Sequence, residues 1–259
     1  MWRTLARLQS DWNRYAKADP LWAIRTDPAM KNRQWEPHAF FETGQREIED
    51  LMRYVDSLGV DLGRRHALDF GCGVGRLTRA LADHFDQVCG VDISSAMLEL
   101  AREYNAHIAN CVFVQNTEPS FRALPAENFD FIYSNVTLQH MPPRYTKRYL
   151  RGLVRRLRPG GLLIFQLPDQ SQMGLADRVR GFLYEEIYRR HVLCAEPSMD
   201  MYGLRKRRVI AFIERSGCRV LDVTPNWAAG PEWTSYRYAA VREDVPPLEK
   251  APAHGAPAR

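Results

Sequence analysis

Between residues 64 and 167 the hydrophobic positions change their period again and again. Short continuous apolar runs, the signature of buried strands, alternate with segments whose apolar residues recur every three or four positions, the signature of helices. His66-Ala-Leu-Asp-Phe70 is the first run, and after the Gly71–Gly75 turn a helix carries Leu77, Ala80, Leu81 and Phe85 on one face. Gln87 to Asp92 reads as a second strand, followed by a helix from Ser94 to about Tyr104 that Ser94 or Ser95 can cap. Cys111–Val114 and Phe129–Ser134 read as the third and fourth strands. A helix from about Pro143 to Leu157 presents Tyr149, Leu150, Leu153, Val154 and Leu157 as a stripe, with proline suited to its first turn. Arg158-Pro-Gly-Gly161 is a turn, and Leu162–Leu167 a fifth strand. Strands separated by helices predict a parallel sheet with right-handed crossovers, and such sheets hold ligands at the carboxyl ends of their strands.

The flanks read differently. Trp2, Leu5, Leu8, Trp12 and Tyr15 recur at helical spacing, which is unlike the continuous apolar core of a secretory signal. Residues 173 to 191 are helical in pattern and rich in Tyr and Arg, and a further helix runs from about Leu204 to Ser216. Arg219–Val223 and Tyr236–Val241 read as two more strands. The last 15 residues, from Val245, hold four prolines and a single bulky aliphatic beyond Val245 itself, and are expected to be disordered. The expected organisation is an N-terminal helical lid over 1–63, a core over 64–244 with a lid insertion at about 168–216, and a tail over 245–259. All six tryptophans, at 2, 12, 22, 35, 227 and 233, lie outside the alternating core, so they either line a substrate pocket or pack the flanks onto the sheet.

Composition narrows the class. With 259 residues, 45% of them apolar, the chain can bury a large core without disulfides or metal. No apolar run approaches the ~20 residues that cross a bilayer, and no membrane partner is expected. A formal charge of +5 is too mild for a dedicated nucleic-acid binder. The five cysteines, Cys72, Cys89, Cys111, Cys194 and Cys218, are scattered and form no C-x-x-C pair. They are expected to be reduced thiols in a cytoplasmic protein, and no metal site is expected.

The chemistry lies in the strand ends. Leu68-Asp-Phe-Gly71-Cys-Gly73-Val-Gly75 is a glycine-rich turn between a strand and a helix, which lets backbone approach a ligand closely and aims helix N–H groups at it. The third glycine comes two residues after the second, not three as in the dinucleotide fingerprint, which favours a nucleoside without a pyrophosphate. Asp92, at the end of the second strand and 23 residues after Asp69, is placed either to accept both ribose hydroxyls or to cap the next helix.

Four ordered segments carry a resemblance. Ala67 to Thr78, Val88 to Met97, Asn128 to His140 and Leu157 to Leu163 resemble the successive motifs of class I S-adenosylmethionine-dependent methyltransferases. The resemblance implies an α/β fold, a doubly wound Rossmann-like sheet that is mostly parallel with an antiparallel final strand. It also implies S-adenosylmethionine as cofactor. Gly71 and Gly73 would hold its methionine part, with Asp69 near the amino group. Asp92 would hold the ribose, while Ile93 and Met97 pack on the adenine. Where the family often has an aspartate for the adenine amino group, this chain has Asn116, whose amide oxygen can serve. Asn135, Val136 and Gln139 would close over the sulfonium.

Methyl transfer from a sulfonium is a direct displacement, so the protein must align the partners, and a base is needed only for an acceptor that holds a proton. His140, in the loop after the fourth strand, is the candidate base or else a structural tether for that loop; His191 and Glu186 are weaker candidates. The loop lacks the Pro-Pro-aromatic motif of amino methyltransferases acting on adenine or glutamine, and no Pro-Cys pair suits cytosine C5. Arg205-Lys-Arg-Arg208 reads as a solvated helix start sooner than a phosphate site. The expected acceptor is a small molecule or peptide, methylated at oxygen first and nitrogen next. An RNA methyltransferase, a nicotinamide oxidoreductase and a non-catalytic binding protein remain as alternatives.

Overall fold

The computed structural model describes residues 4–124, 128–172 and 199–244. The helix expected over 173–191, the candidates Glu186 and His191, Cys194 and the tail from 245 lie outside these residues. Seven strands form one sheet: β1 (His66–Phe70), β2 (Gln87–Asp92), β3 (Cys111–Gln115), β4 (Phe129–Ser134), β5 (Leu157–Ser171), β6 (Cys218–Pro225) and β7 (Trp233–Arg242). Their order is β3-β2-β1-β4-β5-β7-β6. β1 to β5 pair in parallel, and β7 runs antiparallel to both β5 and β6. The expected sheet is thus present, with its antiparallel strand inserted between β5 and β6.

Alternation along the buried strands sends one continuous apolar run to two faces. Leu68, Phe70, Ile132, Leu163 and Phe165 face one layer, where α6 (Pro143–Arg156) supplies Tyr149, Leu150, Leu153 and Val154 and α7 (Lys206–Arg215) supplies Val209 and Ile213. Ala67, Val88, Phe131, Tyr133, Leu162 and Ile164 face the other layer. There α3 (Pro37–Ser57) supplies Ile48, Leu51, Met52 and Val55, and α4 (Arg76–Leu81) supplies Leu77 and Ala80. The helix α5 (Ser95–Tyr104) follows β2, capped by Ser94, whose Oγ accepts from Met97 N at 3.1 Å.

Two expectations about the flanks need correction. The N-terminal region is not one lid: α3 belongs to the sheet's own sandwich, and only α1 (Leu5–Ala18) and α2 (Pro20–Ile24) lie over the strand ends. β5 also starts earlier than expected. Leu157 already pairs with Phe129, and the turn residues up to Gly161, with Gly160 at φ +75°, bulge out before pairing resumes at Leu162. Of the described tryptophans, Trp12 lines a cavity, Trp35 is buried against α3 and Trp227 is 80% exposed. Among the described residues Cys72, Cys89, Cys111 and Cys218 are free thiols. None of the described helices is long and apolar enough to cross a membrane.

Candidate active site

The strand order reverses at β1, which has β2 on one side and β4 on the other, and this switch point is where open α/β sheets bind ligands. A cavity lies there, lined by strand ends and by the N-terminal arm, where such sheets take small ligands. Its floor comes from the strand ends: Gly71 and Gly73 after β1, Asp92 and Ile93 at β2, Asn116 after β3, and Asn135, Val136, Thr137 and His140 after β4. Its roof is the N-terminal arm, through Leu8, Trp12, Ala23 and Ile24. Asn13 ties that arm down, its Oδ1 accepting from Ser94 Oγ at 2.7 Å and Ala96 N at 3.3 Å.

The glycine turn is tight. Gly71, Gly73 and Gly75 all have positive φ, at 82°, 55° and 82°, a region costly for residues with a Cβ. A Cβ on Gly71 would collide with Thr137, and one on Gly73 would stand 2.5 Å from Ile24 Cδ1. Asp92 closes the turn from the next strand: Oδ2 accepts from Gly73 N at 2.9 Å and Oδ1 from Ser94 N at 2.8 Å. Ser94, not Asp92, caps α5, which removes the simple capping role. Burial raises the Asp92 pKa above the usual carboxylate value, and the backbone N–H groups of Ser94, Gly73 and Ile93 oppose the rise.

Asn116 and Asn135 resemble each other. Asn116 donates Nδ2 to Glu118 O at 2.8 Å, and Asn135 donates Nδ2 to Glu47 Oε1 at 2.7 Å. Because the partners only accept, each amide's orientation is fixed, and each Oδ1 is left buried without a hydrogen bond. Val136, at φ +55°, is a β-branched residue in the left-handed region, held there in part by its N–H donating to Gln166 Oε1 at 3.2 Å. Gln166 Nε2 in turn donates to Gln139 Oε1 at 3.0 Å and to Ser235 Oγ at 2.6 Å. His140 Nδ1 lies 3.1 Å from the Asp200 carbonyl, which can only accept, so Nδ1 carries the proton. Nε2 keeps its lone pair and accepts from Gln139 Nε2 at 3.3 Å, while the ring edge meets Trp12 at 5.4 Å between centroids.

The structure therefore brings nine of the residues singled out in the sequence to the cavity wall: Gly71, Gly73, Asp92, Ile93, Met97, Asn116, Asn135, Val136 and His140. It keeps two behind it. Asp69 accepts from Thr78 Oγ1 at 2.7 Å beneath the turn, where burial lifts its pKa to about 7, and Glu47 and Asp92 add to the rise. Gln139 is buried in the relay to His140. The sequence reading missed Leu8, Ile24, Thr137, Met141 and Tyr149 of the wall, and Glu47 and Arg76 behind it.

The residues fit S-adenosylmethionine. An acceptor is left unused at Asn116, a carboxylate stands at the end of β2, and among the described residues no lysine or arginine is in the wall to demand a phosphate. Among the described residues no cluster suits a metal ion.

Comparison with known proteins agrees. A family model described as a methyltransferase domain matches residues 67–161. The chain is 26% identical over 176 residues to ubiquinone biosynthesis O-methyltransferase of Coxiella burnetii, covering 67% of this chain and 71% of that one. It is 37% identical over 109 residues to trans-aconitate 2-methyltransferase of Paracidovorax citrulli, covering 41% and 40% of the two chains. The fold superposes on the structure of magnesium protoporphyrin IX methyltransferase from Synechocystis PCC 6803 with bound S-adenosylhomocysteine. The TM-score is 0.61 at 17% identity, over 92% of this chain and 99% of that one. The strand-end cavity and these matches define a methyl-transferring enzyme. Residues 67–161 match a methyltransferase domain, and the relatives and structural neighbours together support a class I S-adenosylmethionine-dependent methyltransferase.

Proposed function

We propose that this enzyme methylates a small molecule at oxygen, in the cavity between the strand ends and the N-terminal arm. The observation that carries the reading is the division of one cavity into a polar floor and an apolar side. The floor has Asp92, Asn116 and the glycine turn; the side has Leu8, Trp12, Phe70, Met141 and Tyr149. The relative named as a ubiquinone biosynthesis O-methyltransferase supports oxygen as the target. Reduced thiols fit a cytoplasmic setting.

The roles follow from position. Asp92 accepts the ribose hydroxyls, Asn116 Oδ1 accepts from the adenine amino group, and Ile93 and Met97 pack on the ring. The backbone at Gly71 and Gly73 cradles the methionine part, with Asn135 on the same side, and Val136 closes the sulfonium end. Asp69 shapes the turn from beneath through Thr78, and Gln139 acts through His140. When bound, S-adenosylmethionine supplies a methyl group on a good leaving group. The chain supplies alignment and a dry cavity, which α1 and α2 complete as a cover. His140 takes the acceptor hydroxyl's proton at Nε2, with the Asp200 carbonyl holding the ring as a carbonyl holds other catalytic imidazoles. The acceptor hydroxyl takes the place of the Gln139 amide at that nitrogen.

A screen of acceptors with methyl-labelled cofactor, by mass spectrometry, tests the reading. With the acceptor identified, His140→Ala is expected to lower turnover by roughly 10²–10⁴-fold while cofactor affinity stays unchanged. An unchanged turnover removes His140 as the base, and a product methylated at nitrogen or carbon overturns the choice of oxygen.

A further inference from the structure

Behind the cavity wall, one carboxylate joins three elements. Glu47 on α3 accepts from Asn135 Nδ2 at 2.7 Å and from Tyr133 OH at 3.2 Å through Oε1, and meets Arg76 Nη2 at 2.6 Å through Oε2. Arg76 opens α4, directly after the glycine turn, and also donates to Thr43 Oγ1 at 3.2 Å. Asn135 opens the loop after β4. Gly44 makes the approach possible: a Cβ there would stand 2.5 Å from the Arg76 carbonyl oxygen, so α3 can rest against the start of α4 only without one. Glu47 is thus a staple between the two segments that bound the Gly71 side of the cavity.

The staple has a chemical consequence. A carboxylate only accepts, so the amide edge facing Glu47 must be Nδ2, and Asn135 is forced to offer Oδ1 elsewhere. That Oδ1 is buried and accepts nothing. The loop cannot easily turn it away: Thr137 Oγ1 donates to the Asn135 carbonyl at 3.0 Å, and the next residue is pinned at positive φ. A buried acceptor beside Gly71, in a wall where no described residue is a lysine or arginine, suits a cationic donor.

We infer that Glu47 is a positioning residue that fixes Asn135 Oδ1 as the acceptor for the α-ammonium of the cofactor's methionine part. The inference rests on the cofactor reading given above and moves recognition of the amino group from Asp69, which is engaged with Thr78, to Asn135. It also gives α3 a share in ligand recognition although none of its residues is in the wall.

The test uses two ligands that differ at one end. S-adenosylhomocysteine carries the amino-acid portion, whereas 5′-methylthioadenosine keeps the nucleoside and lacks it. Calorimetry on the full chain is expected to show Glu47→Ala weakening S-adenosylhomocysteine about tenfold while methylthioadenosine changes less than twofold. A hydrogen bond to a charged group is worth roughly that factor or more. Glu47→Gln, which keeps an acceptor for Asn135, is expected to restore most of the loss. Asn135→Ala should match Glu47→Ala, and the double variant should add little to either, because the two act as one unit. Equal loss for both ligands, or no loss for either, overturns the inference, since a merely structural contact would not tell the ligands apart. Wild-type protein that binds methylthioadenosine and S-adenosylhomocysteine equally well also overturns it. Wild-type protein that binds neither overturns the cofactor reading and this inference with it.

Discussion

The two amides of the cavity reach the same state by different routes. Asn116 satisfies its Nδ2 on Glu118, two residues along the chain, inside a turn that the end of β3 sets up locally. Asn135 satisfies its Nδ2 on Glu47, 88 positions away, and does so only when α3 has packed across the sheet. The end of the cavity assigned to the nucleoside is written into strand ends and their loops. The end assigned to the amino acid is assembled by tertiary contacts. A disturbance far from the ligand should therefore reach the second end and spare the first.

The largest expected effect erases the distinction. Gly73→Val puts a branched side chain at φ +55° and into Ile24, and it also moves the N–H that Asp92 accepts. Strain and collision at about 1–3 kcal/mol each predict at least about thirtyfold weaker binding of both S-adenosylhomocysteine and methylthioadenosine by calorimetry. Selective loss of one ligand would show that the turn serves one end alone.

Asp92→Ala comes next and should act on the nucleoside end. Hydrogen bonds to a carboxylate are worth roughly 1.5–3 kcal/mol, so both ligands should weaken about tenfold or more, and by the same factor. Asn116→Ala removes a neutral acceptor worth about 1 kcal/mol and should cost each ligand about fivefold. If either variant discriminates between the ligands, the assignment of the two ends is reversed or wrong.

The smallest effect concerns the carboxyl group beneath the turn. Burial raises the Asp69 pKa from 3.8 to about 7 in the folded protein. Between about pH 4 and 7 the folded state then holds a proton that the unfolded chain has released, so this group's contribution to stability falls as pH rises through that window. Asp69→Asn keeps an oxygen for Thr78 and should flatten this limb when Tm is followed against pH. A wild-type and variant pair with parallel profiles would show that Asp69 titrates normally.

Much of the core was legible because its signals are local. β1, β2 and β4 have the predicted limits, since each is a continuous apolar run closed by Gly71, Asp92 or Ser134. Asn116 follows the end of β3 and lines the cavity, at the place where the resemblance expects a residue for the adenine amino group. The contribution of α3 was not legible. Its Phe40, Gly44, Ile48, Leu51 and Val55 show the helical period, but periodicity says that a stripe is buried and not what it is buried against. Glu47 stands on that stripe, three residues after Gly44 and four before Leu51. An acid on an apolar stripe was the available sign of a buried pair, and only the fold reveals Arg76 and Asn135 as its partners. The His140 relay was hidden likewise, because Gln166 looks like one more residue of a buried strand until β4 and β5 stand side by side.

Thermal unfolding of the purified enzyme with single added ligands tests the central claim most directly. A ligand at a hundredfold excess over its Kd stabilises the folded state by about 2.7 kcal/mol, which for a chain of this size raises Tm by about 5–10 °C. S-adenosylmethionine and S-adenosylhomocysteine are predicted to give that rise, and NAD and NADP none. A rise with NAD and none with either adenosyl ligand would contradict the assignment of the cavity.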